Sequence, residues 1–154
     1  DYAHVEAGTV VIDGSLDNED QEHRLRFTLG HEGGHGVFHP SYFLNTIGSS
    51  ERNDTGIYVR CRSDFRVAGR SFSGFRSLTD AERAEQQANR FSAAVLMPRS
   101  AVKILLAGRP YNRTEGWIIS AMEQISDTFN VSKEAAFYRL KGLEMIEEHT
   151  KMPI

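Results

Sequence analysis

The stretch LGHEGGHGVFH, residues 29–39, combines a helical histidine spacing with an unusual density of glycine. Four glycines fall within seven residues: Gly30, Gly33, Gly34 and Gly36. Each glycine in a helix interior costs about 1 kcal/mol relative to alanine. If this stretch is a helix, another source of stability must offset that cost.

The histidine spacing matches the pattern H-E-x-x-H. His31 and His35 are four residues apart, so a helix places them about 40° apart on one face, where both imidazoles can bind one ion. Glu32 follows at the edge of that face, where it can reach a water molecule bound to the ion. The pattern predicts one catalytic Zn²⁺ site, and the alternative is two surface histidines on an ordinary helix.

A catalytic zinc site needs three protein ligands and an open position. The candidates for the third ligand are His39, Cys61, Glu82 and Glu85. His39 lies a turn beyond the ion, and a lone cysteine is more often a buried apolar residue. Glu82 fits a capping box with Thr79, which favours Glu85. Asn89, four residues after Glu85, could accept a hydrogen bond from a ligating imidazole.

Caps and apolar periodicity predict helices over residues 22–38, 80–97, 100–107, 115–129 and 133–149. The apolar stripe of the second helix consists of Ala84, Ala88, Phe91 and Val95. A β-branched run at 9–12 (TVVI) predicts a strand, and IYVR at 57–60 has strand character. One sheet edge with several helices predicts an α+β domain.

Length and composition indicate one globular domain spanning residues 1–154. The formal charge of −3 and the pI near 6.1 do not favour a nucleic-acid or membrane partner. Cys61 is the only cysteine, which excludes an intrachain disulfide and favours a reducing compartment, by default the cytoplasm. No apolar run is long enough for a membrane span.

Two features allow other functions. Arginines and aromatic residues alternate between 57 and 79, which we interpret as a solvated loop beside the cleft, with acidic substrates or nucleic acid as alternatives. Residues 125–143 resemble a helix-turn-helix, which would make the chain a DNA-binding module. We favour core packing because the second helix has an apolar stripe and ends in glutamates. A non-hydrolytic metal-binding sensor or scaffold is a third possibility.

The segments RFTLGHEGGH (26–35) and ERAEQQANRFSAAVLMP (82–98) resemble the two signature helices of the ImmA/IrrE family of metallo-endopeptidases. The resemblance implies that His31, His35 and Glu85 bind zinc and that Glu32 is catalytic. It also implies a small zincin-like domain with a short, mostly antiparallel sheet, and selective intracellular cleavage of a protein such as a repressor or antitoxin. Gly33 and Ser92 depart from the pattern, and the family's upstream N-terminal helix is expected to be missing here.

The resemblance gives the glycines a role. We expect the helix to lie close to a sheet edge, to the second helix and to a peptide substrate, with metal binding offsetting its weak propensity. The donor that stabilises the oxyanion is not identified by the sequence; the candidates are Tyr42, Tyr58, Arg60 and His39.

Overall fold

The computed structural model describes residues 10, 12–40, 79–108 and 114–153. Two short 3-10 turns, Gly14–Leu16 and Glu19–Gln21, lead into the first long helix. The α-helices of the described residues are α1 (Glu22–Phe38), α2 (Asp80–Leu96), α3 (Arg99–Leu105), α4 (Glu115–Phe129) and α5 (Lys133–Gly142). None of them is both long and apolar enough to cross a membrane.

The predicted α+β class with a short, mostly antiparallel sheet is wrong. The described residues are predominantly helical and include no strand. Val10 and Ile12, at the predicted first strand, have no regular structure, while Thr9, Val11 and the segment 57–60 lie outside the described residues. A short β-branched run is a strand only when a partner pairs with it, and local propensity does not supply that partner.

Local capping explains where the helices begin. Glu82 N–H donates to Thr79 Oγ1 at 3.2 Å, and Thr79 N–H donates to Glu82 Oε2 at 2.8 Å, so the predicted capping box of α2 is confirmed. Thr114 and Ser132 are the N-caps of α4 and α5, and the hydroxyl oxygen of each accepts from the backbone N–H three residues on. Helix α1 ends at Phe38, just before Pro40, as predicted.

Helix α5 ends earlier than the predicted residue 149. Glu144 adopts a left-handed conformation with φ of 59°, Glu144 N–H donates to Lys141 O, and Met145 N–H donates to Leu140 O. This is the Schellman arrangement, which stops a helix and turns the chain. Met145 and Leu140 are both buried, so the turn returns an apolar side chain to the core.

The core lies mainly between α4 and α5, with α3 packed beside α4. Phe137 and Leu140 of α5 are buried against it, which confirms that the helix-turn-helix-like segment packs in the core. Arg139 of α5 donates from Nε to the Met97 carbonyl at 2.9 Å, and Arg26 of α1 donates to the Phe129 carbonyl at 2.9 Å. These two arginines connect the α1–α2 pair with the C-terminal helices.

Helices α1 and α2 pack closely on each other. The buried face of α1 consists of Phe27, His31, Gly34 and His35, whereas Leu29, Val37 and Phe38 are exposed. On α2, Ala84 and Ala88 are buried as predicted, but Val95 is 55% exposed. The two helices therefore meet largely through small and polar side chains, with a ring contact between Phe38 and Phe91 at 5.5 Å. The apolar stripe of α2 is shorter than predicted.

Candidate metal centre

Two histidines of α1 face each other from successive turns. The Nε2 atoms of His31 and His35 are 3.0 Å apart, and the two residues are 0% and 3% exposed. Because residues four apart lie on one helix face, the local fold alone brings these nitrogens together. Both therefore point to one place beneath α2.

Helix α2 brings a carboxylate to the same place. Glu85 Oε2 lies 3.3 Å from His31 Nε2, and Glu85 Oε1 lies 3.2 Å from His35 Nε2. Among the described His, Cys, Asp and Glu residues, the one group with three ligand atoms close enough to share an ion is His31, His35 and Glu85. Glu82, the alternative on α2, is instead held in the capping box at the helix start.

Two of the four glycines allow α2 to approach this closely. A Cβ on Gly34 would lie 2.9 Å from the Ala88 Cα, and a Cβ on Gly30 would lie 2.5 Å from Ser92 Oγ. Ser92 uses the space over Gly30 to donate to the Phe27 carbonyl at 2.8 Å. Gly30 and Gly34 are therefore required for the close packing that positions Glu85.

The other two glycines have no such constraint from the described residues. Of the part of the chain that the structure describes, a Cβ on Gly33 would meet only a Phe91 ring carbon at 3.9 Å, and a Cβ on Gly36 would meet nothing within 4 Å. The expected close approach to a second helix thus accounts for half of the glycines. The expected approach to a sheet edge is wrong, because the described part of the chain has no sheet.

The donor set fits a divalent cation. Ligands at 2.0–2.1 Å around a tetrahedral ion lie roughly 3.3 Å from one another. The three separations here are 3.0, 3.2 and 3.3 Å. Within the described structure, Glu85 Oε2 is buried without a hydrogen-bond partner. The arrangement of two imidazole nitrogens and a carboxylate oxygen is compatible with a metal ion.

Electrostatic interactions within the group are strong. Burial alone would lower the pKa of His31, but contacts with Glu85 and Asn89 and the charges of Glu85 and Glu32 outweigh it and raise that pKa. Burial likewise opposes ionisation of Glu85, yet its contacts with His31 and His35 lower its pKa to about 2. The carboxylate therefore stays ionised beside the imidazoles, as a metal ligand must.

The far side of each imidazole also has a partner. His31 Nδ1 lies 2.8 Å from the Oδ1 atom of Asn89, which is buried. His35 Nδ1 lies 3.1 Å from His39 Nδ1, and His39 Nε2 lies 2.9 Å from Gln87 Oε1. Asn89 stands where the sequence predicts it. Gln87 was missed, because its contact depends on how α2 lies over the end of α1.

The other predicted site residues either lie beside the three-donor group or fall outside the described residues. Glu32 is half-buried on α1, next to His31, and its charge contributes to the raised pKa of that histidine. His39, an oxyanion candidate, is buried against His35 instead. The remaining oxyanion candidates and the cysteine lie outside the described residues: Tyr42, Tyr58, Arg60 and Cys61.

Comparison with known families adds independent evidence. The family model Peptidase_M78, described as the IrrE N-terminal-like domain, matches residues 73–141. The match supports an ImmA/IrrE family metallopeptidase. No curated protein and no solved structure matches the chain at a significant level.

The ImmA/IrrE match contains Glu85 and Asn89 of α2, together with α3, α4 and most of α5. Helix α1 lies outside the matched range, so the roles of His31, Glu32 and His35 remain predictions from their spacing. The group of His31, His35 and Glu85 is compatible with the metal ion that a metallopeptidase requires.

Proposed function

We propose that this ImmA/IrrE family member is a zinc-dependent endopeptidase. The observation that supports it best is the convergence of two imidazole nitrogens and one carboxylate within 3.0–3.3 Å, in a chain that matches a metallopeptidase family. Two histidines and a glutamate with one open position form a donor set used by catalytic zinc.

In this proposal His31, His35 and Glu85 hold the ion, and Asn89 orients His31. A bound zinc ion supplies Lewis acidity toward the scissile carbonyl and the attacking water. Two of these three donors are imidazole nitrogens, which suit zinc better than magnesium or calcium, since those ions prefer oxygen ligands.

Glu32 acts as the general base. Its carboxylate accepts a proton from the attacking water as the water oxygen bonds to the carbonyl carbon. It then returns the proton to the departing amine nitrogen when the C–N bond breaks. Its place one residue after His31 puts it beside the ligand face without making it a ligand.

The test is a Glu32→Gln variant. The matched acid-to-amide control is Glu19→Gln, in the 3-10 turn that precedes α1. Glu32→Gln should retain about one equivalent of zinc, while cleavage falls by about 100-fold or more. Glu19→Gln should retain both zinc binding and cleavage. Wild-type protein that binds no zinc, or a Glu32→Gln variant that still cleaves, would contradict the proposal.

The proposed substrate is an intracellular protein such as a repressor or an antitoxin, and the proposed location is the cytoplasm. A purified helix-turn-helix repressor serves as the probe, with β-casein as an unspecific substrate. Cleavage of the repressor at one bond, with β-casein intact, is the expected result. Preferential degradation of β-casein would contradict the proposed selectivity.

DNA binding by the segment 125–143 is an alternative that we do not favour. In α5, Ala136, Phe137 and Leu140 are buried and Arg139 donates to the Met97 carbonyl, so this face of the helix is occupied. If the protein binds metal without hydrolysing peptides, neither the wild type nor Glu32→Gln should cleave the substrate. The cleavage assay therefore separates it from the peptidase.

A further inference from the structure

His39 and Gln87 form a hydrogen-bonded chain behind His35. His39 is the residue that follows α1, and it is 9% exposed. Its Nδ1 faces His35 Nδ1 at 3.1 Å, and its Nε2 faces Gln87 Oε1 of α2 at 2.9 Å. The end of α1 and the middle of α2 are thus joined through one imidazole.

The direction of this chain determines which nitrogen of His35 carries its proton. An amide oxygen only accepts, so His39 Nε2 must donate to Gln87 Oε1. A neutral imidazole has a single N–H, which leaves His39 Nδ1 as an acceptor. His35 Nδ1 must then donate to it, and His35 Nε2 presents its lone pair to Glu85 and His31.

A reversed amide would reverse every step. If Gln87 presented its NH₂ group, His39 would accept at Nε2 and donate from Nδ1, and His35 would carry its proton on Nε2. That proton would point at the three-donor group and block metal binding, since a metal requires the free lone pair. His31 needs no such chain, because Asn89 Oδ1 accepts from its Nδ1 directly at 2.8 Å.

We propose that His39 and Gln87 are positioning residues that hold His35 in its Nδ1–H tautomer and keep Nε2 available to the metal. The inference rests on the proposed metal site, but it concerns residues outside the three-donor group of His31, His35 and Glu85. Metal-ligating histidines commonly depend on such partners, whose removal costs about 10–100-fold in metal affinity.

The first experiment compares Gln87→Met with Gln86→Met, its sequence neighbour on α2, which takes no part in the chain. Zinc affinity is measured by competition with a chelating dye, and folding by circular dichroism. Gln87→Met should raise the zinc dissociation constant about tenfold, and Gln86→Met should leave it near the wild-type value. Equal affinities for wild type and Gln87→Met would overturn the proposal.

The second experiment separates positioning from mere packing at His39. His39→Leu fills the space but accepts no hydrogen bond, whereas the Oδ1 atom of His39→Asn can take the place of the imidazole Nδ1. His39→Leu should therefore weaken zinc binding about tenfold or more, and His39→Asn should restore most of it. Equal loss in both variants would overturn the proposal.

The third measurement needs no metal. In chelator-treated protein, ¹⁵N NMR of the histidine rings distinguishes the two neutral tautomers. Wild type should show His35 with its proton on Nδ1, and Gln87→Met should show a mixture. If the wild type bound no zinc, the proposed peptidase activity would be contradicted. The NMR measurement would still show which nitrogen of His35 carries the proton. An unchanged tautomer in Gln87→Met would reject the chain.

Discussion

Glu85 is the residue on which the metal centre most depends. Its two oxygens face different histidines, at 3.3 and 3.2 Å, from the opposite helix. Glu82, one turn earlier on α2, has the same side chain but is held at the helix start by Thr79. Glu82 therefore serves as a matched control for substitutions of Glu85.

We predict different outcomes for Glu85→Gln and Glu82→Gln. Glu85→Gln removes the negative charge and places an amide donor among the ligands, so zinc affinity should fall by about 100-fold or more. Glu82→Gln should bind zinc normally, because glutamine also serves at this position of a capping box. Isothermal titration with zinc measures both. Similar losses in the two variants would contradict the assignment.

At Gly34 and Gly36 the same substitution should have opposite effects. Alanine at Gly34 brings a Cβ to 2.9 Å from the Ala88 backbone, whereas alanine at Gly36 meets none of the described residues within 4 Å. Gly34→Ala should cost about 1–3 kcal/mol of unfolding free energy. Gly36→Ala should gain about 0.5–1 kcal/mol through helix propensity. Urea denaturation measures both, and a neutral Gly34→Ala would show that the helices are not in close contact there.

At the scale of the helices, local signals in the sequence were sufficient to predict where most of them begin and end. The Thr79 capping box, the Ser132 N-cap and the position of Pro40 each act within a few residues. The end of α5 was mispredicted because Glu144, a residue with no preference for left-handed backbone, adopts that conformation to return Met145 to the core.

Non-local pairing was the main source of error in the fold prediction. The run at 9–12 has β propensity, but the strand assignment required a partner that the sequence did not identify. The candidate site was more predictable, because the relation of His31 to His35 is set within one helix. Glu85 and Asn89 could be placed by face and spacing, whereas Gln87 depends on the packing of α2 against α1.

For the whole molecule, metal removal should loosen the α1–α2 pair more than the C-terminal helices. Among the described residues, few apolar side chains connect α1 to α2 near His31 and His35, whereas α4 and α5 share most of the core. Chelation should therefore speed amide exchange most over residues 30–38, with little change in α4. At zinc concentrations of 1,000 times the dissociation constant, binding should contribute about 4 kcal/mol to stability. Uniform exchange with and without chelator would contradict this.

The chelated protein should also be most stable at mildly acidic pH. The pKa of Glu85 is lowered from 4.5 to about 2, so its stabilisation is present above pH 4.5 and is lost as the pH falls toward 2. The pKa of His31 is raised from 6.5, so its stabilisation is complete below pH 6.5 and is lost as the pH rises through the raised value. Urea midpoints should peak between these limits, and a midpoint that keeps rising into the alkaline range would contradict the pairing.

The most direct test is an anomalous difference map at the zinc absorption edge, from crystals of the protein with one equivalent of zinc. We predict a single strong peak at about 2.0–2.2 Å from His31 Nε2, His35 Nε2 and one oxygen of Glu85. A zinc peak elsewhere, or a crystal structure in which these three side chains point away from each other, would contradict the metal centre and the peptidase activity proposed from it.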